Sequence, residues 1–198
     1  MEKIKRLFAH KIFKVLIWAF LILVGAFVVL VIVRAFYFYN LDKTNAQVAK
    51  IHATKLTLDD VMGKNLPPDP GAEADKTVAG IDANNNGIRD DVELAVFKEY
   101  PNSAKTRAVL LQYALVLQMQ MTLPIVNKET VTATVEDKSR ANLCMWNLID
   151  VEKYENFVKK FQINTEQRNK YLDDFYKYMG SYTASRQGCD IDLSTLLN

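Results

Sequence analysis

The 198-residue chain carries 25 Lys and Arg against 23 Asp and Glu, a formal net charge of +2, and 49% of it is apolar. Its basic excess sits at one end: residues 1–34 hold six basic and one acidic residue, leaving 19 basic and 22 acidic in the remainder. That distribution excludes the clustered basic footprint of a nucleic-acid-binding domain, and the length leaves room for one domain beyond an anchor.

Residues 1–14 form a basic segment, with Lys3, Lys5, Arg6, Lys11 and Lys14. The charge-free run Val15 to Val33 follows, all apolar apart from Gly25. At 1.5 Å per residue these 19 residues span about 28 Å, the hydrocarbon thickness of a bilayer. A membrane anchor over 15–39 is therefore expected, embedded in the lipid bilayer. A cleaved signal peptide is the rival reading. The apolar run is long for one, and Arg34 with Phe36-Tyr37-Phe38-Tyr39 offers no small-residue cleavage site. No cysteine follows closely, so a lipoprotein signal is not indicated either. Basic residues before the span, against Arg34 and Lys43 after it, place the N-terminus in the cytoplasm and the rest outside. Phe36 to Tyr39 make an aromatic collar at the outer interface, and Trp18 lies near the inner one. The expected location is a bacterial inner membrane, crossed once, with a periplasmic domain.

Residues 40–80 read as stalk and linker. The polar stretch 40–55 continues the anchor helix for a few turns. Leu66-Pro67-Pro68-Asp69-Pro70-Gly71 cannot hold regular structure and acts as a semi-rigid spacer.

Next comes Asp82-Ala83-Asn84-Asn85-Asn86-Gly87-Ile88-Arg89-Asp90-Asp91-Val92-Glu93. Oxygen-bearing side chains fall at positions 1, 3, 5, 9 and 12, with glycine at 6, which is the spacing of a twelve-residue calcium loop. Asp82, Asn84 and Asn86 would face inward, the Ile88 carbonyl would donate at position 7, and Asp90 would act directly or through water. Glu93 would close the site with both oxygens. Calcium, a hard cation, favours this set of carboxylates and amides over His or Cys. The loop resembles an EF-hand loop, and equally the calcium repeats of thrombospondin type 3. The resemblance covers only residues 82–93 and implies one bound Ca²⁺. With three charged ligands the expected dissociation constant is weak, roughly 10⁻⁴–10⁻³ M. The competing reading is a metal-free, Asx-rich turn at a helix start.

Helices are expected from Asp90 to about Tyr100, ended by Pro101, and from Asn102 or Ser103 to about Thr122, ended by Pro124. The second is apolar around most of its circumference, which marks the centre of a bundle. Arg107, Gln112, Gln118 and Gln120 argue against a second membrane span. Residues 127–149 read mostly as helix, although Thr130 to Val135 alternate like a strand. The stretches 151–162 and 165–182 repeat apolar residues at three and four. A short apolar segment, Leu193 to Leu197, closes the chain. Cys144 and Cys189, in an oxidising compartment, are expected to form a disulfide worth roughly 3–4 kcal/mol in the chain-entropy model. It would pin the tail to a helix.

The expected fold is mainly α: a transmembrane helix followed by a small disulfide-linked helical bundle over 81–198 with one calcium-type loop. Catalytic residues are not indicated. Of the two histidines, His10 precedes the span and His52 lies in the stalk. A nucleophile–His pair is thus unsupported, and Asp59-Asp60 and Asp173-Asp174 read as solvated surface. The aromatic stripe Tyr154, Phe157, Phe161, Tyr171, Phe175, Tyr178 and Tyr182 is either core or a partner surface. The function expected is a non-enzymatic binding or scaffolding component of the cell envelope, with an envelope protein or glycan as partner. The alternative is an envelope hydrolase carrying calcium as a structural ion.

Overall fold

The computed structural model describes residues 2–124, 127–148, 150–183 and 188–196, with side chains from residue 12 onward. Of the residues singled out above, Leu197 and the side chains of Lys3, Lys5, Arg6, His10 and Lys11 lie outside the described set. The chain divides into two compact units, Met1–Asn45 and Ala46–Asn198.

The first unit consists of helix α1 (Glu2–Ala53), whose last two turns belong to the second. From Ile12 onward α1 is long and apolar enough to cross a membrane. Its large apolar side chains, from Ile12 to Tyr39, are exposed and find no cover in the chain. The expected stalk is a continuation of the same helix, with no break at Thr44 or Asn45.

The second unit is built around α4 (Ala104–Thr122). Every residue from Thr106 to Met121 is buried, as its apolar circumference requires. Around it lie α2 (Leu58–Met62), α3 (Asp90–Glu99), α5 (Lys128–Met145), α6 (Val151–Gln162) and α7 (Glu166–Tyr176). No strand occurs among the described residues. The polar residues of α4 bind the surrounding segments. Arg107 donates to the carbonyls of Val61, Tyr100 and Pro101, so it satisfies the ends of α2 and α3 together. Gln118 donates to the Ala79 carbonyl at 2.6 Å and accepts from Gln162 at 2.6 Å. Gln120 accepts from the Tyr176 hydroxyl. A buried amide without such a partner would cost about 1–3 kcal/mol.

Helix starts follow local chemistry. Ser103 caps α4 through Thr106 N, Asp150 caps α6 through Lys153 N, and Thr165 caps α7 through Arg168 N. Asn127 and Thr130 form a capping box on α5, which overrides the strand-like alternation of 130–135. Thr134 then returns its hydroxyl to the Thr130 carbonyl at 2.8 Å within the helix.

The proline stretch 66–70 is irregular, as expected, with a short element on either side. Thr57 and Asp60 make a capping box that starts α2, and Gly71–Asp75 forms a 3₁₀ turn just past the prolines. The last helix stops at Tyr176 rather than near 182, because Phe175 is its final buried side chain. Tyr178, Met179 and Tyr182 are exposed beyond it. The aromatic stripe is therefore divided. Tyr154, Phe157 and Phe161 pack on the main core, and Phe175 joins Val131 and Val135 in a smaller one.

The disulfide joins Cys144 of α5 to Cys189, with Cα atoms 4.7 Å apart. It pins the tail to a helix, as expected.

Candidate metal loop

Residues 82–93 run from an irregular segment into the first turn of α3, which begins at Asp90. The chain closes on itself where Asp90 N donates to the Ile81 carbonyl at 2.9 Å. Asn85 and Gly87 both take positive φ, 57° and 83°. That conformation is easily reached only by glycine and, less often, asparagine. A Cβ on Gly87 would also meet Leu115 Cδ1 of α4 at 2.8 Å. Position 6 of the loop thus needs glycine for both its backbone and its neighbour.

Backbone amides orient the side-chain oxygens. Asp82 accepts from Asn86 N at 3.2 Å and from Gly87 N at 2.9 Å. Asn84 Oδ1 accepts from Asn86 N, and Asn86 Oδ1 accepts from Ile88 N at 2.8 Å. Both Asp90 oxygens accept from Ala83 N. Each of these oxygens retains a further lone pair. Ile88 sends its side chain into the core at 0% exposure, which leaves its main chain to the loop. Glu93 reaches the loop from α3 and accepts from Asn84 Nδ2 at 3.1 Å. The spacing therefore brings Asn84 and Glu93 into contact, while Asp82, Asn84, Asn86 and Asp90 engage the amides of one turn.

The electrostatics are unusual. Asp90 and Glu93 are 0% and 1% exposed. Among the described residues, no Lys or Arg forms an ion pair with Asp82, Asp90 or Glu93. Burial raises Glu93 from an ordinary 4.5 to about 7, drawn partly back by the amides of Asn84 and Asn86 and raised further by Asp60 and Asp90. Burial likewise raises Asp90, against the Ala83 amide, with Asp82 and Asp91 adding like charge. The Nδ2 of Asn86 is buried and meets no acceptor at hydrogen-bonding geometry. Buried charge without a counterion is costly, and proteins ordinarily pair it or place it on a metal. Among the described residues, no three or more His, Cys, Asp or Glu side chains gather closely enough to hold a metal by themselves. A cation here would need amide and carbonyl oxygens as well as the carboxylates.

Arg89, at loop position 8, was not singled out as functional by its sequence context. Fully buried, it donates to Asp91 and to the carbonyls of Phe161 and Gln162 at the end of α6. The loop is thereby fastened to α6, while on its other side Gly87 packs close to Leu115 of α4. Gly80 approaches the Arg89 side chain with φ +67°, and a Cβ there would collide with Arg89 Cδ and lie 2.9 Å from the Ala74 carbonyl. Gly80→Ala is expected to cost about 2 kcal/mol or more, from the positive φ and the displaced arginine. A urea-denaturation midpoint unchanged from wild type would contradict this.

Arg168 and the Arg140–Asp137–Asp190 group are the other buried charges that sequence reading missed. Their only sequence signal is Asp137 and Arg140 at i and i+3 on one helix. Asp173 and Asp174 are exposed, as expected. A cleft of about 360 Å³ between α3 and α6 has Leu94, Phe157 and Phe161 along it and Asp69 and Glu99 among its lining residues. Compared with family models, with curated proteins and with solved structures, the chain shows no match.

Proposed function

We propose that this chain is a single-pass, membrane-anchored helical protein of the bacterial envelope, with its N-terminus in the cytoplasm and its domain outside. A single structural calcium ion would hold the linker against the domain, whose surface would bind or scaffold a protein or glycan of the envelope without catalysing a reaction. The observation that carries the calcium reading is the pair Asp90 and Glu93, both buried and neither matched by a cation. Asp82, Asn84, Asn86, the Ile88 carbonyl, Asp90 and Glu93 would hold the ion. Bound there, calcium would supply the positive charge that two buried carboxylates lack. The loop's attachment to α6 and its packing on α4 support a rigidifying role, since tightening it would also order the linker that precedes it.

Titrating calcium into the detergent-solubilised full chain tests this, with Glu93→Gln as control. Binding heat and a rise in Tm are expected for wild type. Free calcium at ten times the dissociation constant stabilises by about 1.4 kcal/mol. Both signals should vanish in the variant. Wild type and variant responding alike would remove the ion from the reading.

A further inference from the structure

The segment that follows α1 is held in part by the C-terminal tail. Beyond the end of α1, Leu56 is buried, and its N–H donates to Asp190 Oδ2 at 3.1 Å. The Asp190 side chain is 1% exposed and pairs with Arg140 of α5, while Lys55 Nζ lies 3.9 Å from it. Asp190 is placed there by two further contacts. Gln112 of α4 donates to the Gly188 carbonyl and accepts from Asp190 N, both at 2.9 Å. Cys189 lies between those residues and is bonded to Cys144. The tail backbone runs so close to α5 that a Cβ on Gly188 would stand 3.2 Å from Cys144 N. The covalent bond thus adjoins the residue that accepts from Leu56 N–H.

The bond is asymmetrically accessible. Cys144 is 1% exposed, whereas Cys189 is half-buried and lines an open cleft of about 620 Å³ with Lys105, Asn147 and Ser194. The cleft opens toward Cys189, and its charged lining residues are Lys105, Asp190 and Asp192.

We propose that Cys144–Cys189 is a redox-operated latch, whose reduction frees residues 188–196 and releases segment 54–57, just past the end of α1. The reductant is a dithiol. Its thiolate attacks Cys189 Sγ to form a mixed disulfide, Cys144 leaves as a thiolate and takes up a proton, and the second thiol of the reductant displaces Cys189. Two electrons and two protons pass to the protein, and the dithiol becomes a disulfide. This inference is independent of calcium and goes beyond the scaffolding role.

Hydrogen–deuterium exchange on the full chain in detergent micelles, with and without dithiothreitol, tests it. Reduction should speed exchange at Leu56 roughly tenfold or more, the loss of a hydrogen bond to a charged acceptor. Residues 107–121 of α4 should stay protected. Asp190→Ala should loosen the same segment with the disulfide intact, which separates the latch from general support of the fold. The proposal is overturned if Leu56 stays protected after complete reduction, or if α4 loses protection at the same step. A bond that resists dithiothreitol until the domain unfolds, or an Asp190→Ala chain with Leu56 fully protected, would overturn it equally.

Discussion

Replacing Arg168 with alanine is expected to lower the unfolding free energy by about 3–5 kcal/mol, the cost of breaking a buried charged network from one side. Its side chain is 0% exposed. From the first turn of α7 the guanidinium donates to the carbonyls of Ala74, Thr77 and Val78 and to the side chains of Asp75 and Asn164. Truncation would leave three carbonyls of the linker without their donor, in a stretch with almost no regular structure of its own. Arg168→Lys should recover only part of the loss, because an ammonium cannot reproduce the planar fork that meets several acceptors at once. The guanidinium also holds the Asp75 carboxyl below its ordinary range, aided by Asn164. That contribution is present above the unfolded pKa of Asp75 and fades as pH falls through the lower folded value. Urea denaturation at neutral pH reads the main effect. A loss under about 1 kcal/mol would mean that water replaces the guanidinium at these carbonyls, and the linker would then need another support.

The two long-range arginines explain where sequence reading stopped. Periodicity and caps locate helices because the signal lies within a few residues: Ser103 before α4, Asp150 before α6, Thr165 before α7. The apolar circumference of α4 indicated its central place for the same reason. The disulfide was legible because only two cysteines exist. Arg89 and Arg168 carry no such mark. Most of their partners are main-chain carbonyls 72 to 94 residues away, and a carbonyl is the same in every residue type. The linker is legible only in part. Its prolines do prevent a helix through residues 67–70, but the capping box at Thr57 sits upstream of them, and the 3₁₀ turn begins just after them. Within the loop, the spacing identified which oxygens face one turn. It carried no information on burial, and burial of Asp90 and Glu93 is what makes their charge a problem that a cation would solve.

In a calcium chelator, the folded chain is expected to lose stability as pH rises from about 4.5 to about 7, and Glu93→Gln should abolish most of that loss. Glu93 has a folded-state pKa raised from 4.5 to about 7, chiefly by burial. A raised acid favours the folded state while it is protonated in both states. Its contribution is therefore complete below the unfolded value and disappears as pH climbs through the folded one. The difference corresponds to something on the order of 3 kcal/mol, and Asp90, raised for the same reason, acts with the same sign. Glutamine keeps an oxygen for the Asn84 amide and removes the charge, so at pH 8 without calcium the variant should be the more stable protein. At pH 5 the two should differ little. Added calcium should reverse the order at pH 8 by stabilising wild type alone, because the variant lacks the carboxylate that would close the site around a dication. Measuring Tm for both proteins at pH 5 and 8, in chelator and in excess calcium, separates these terms. If the variant is no more stable than wild type at pH 8 in chelator, Glu93 bears no buried-charge penalty, and the loop has no electrostatic need for an ion.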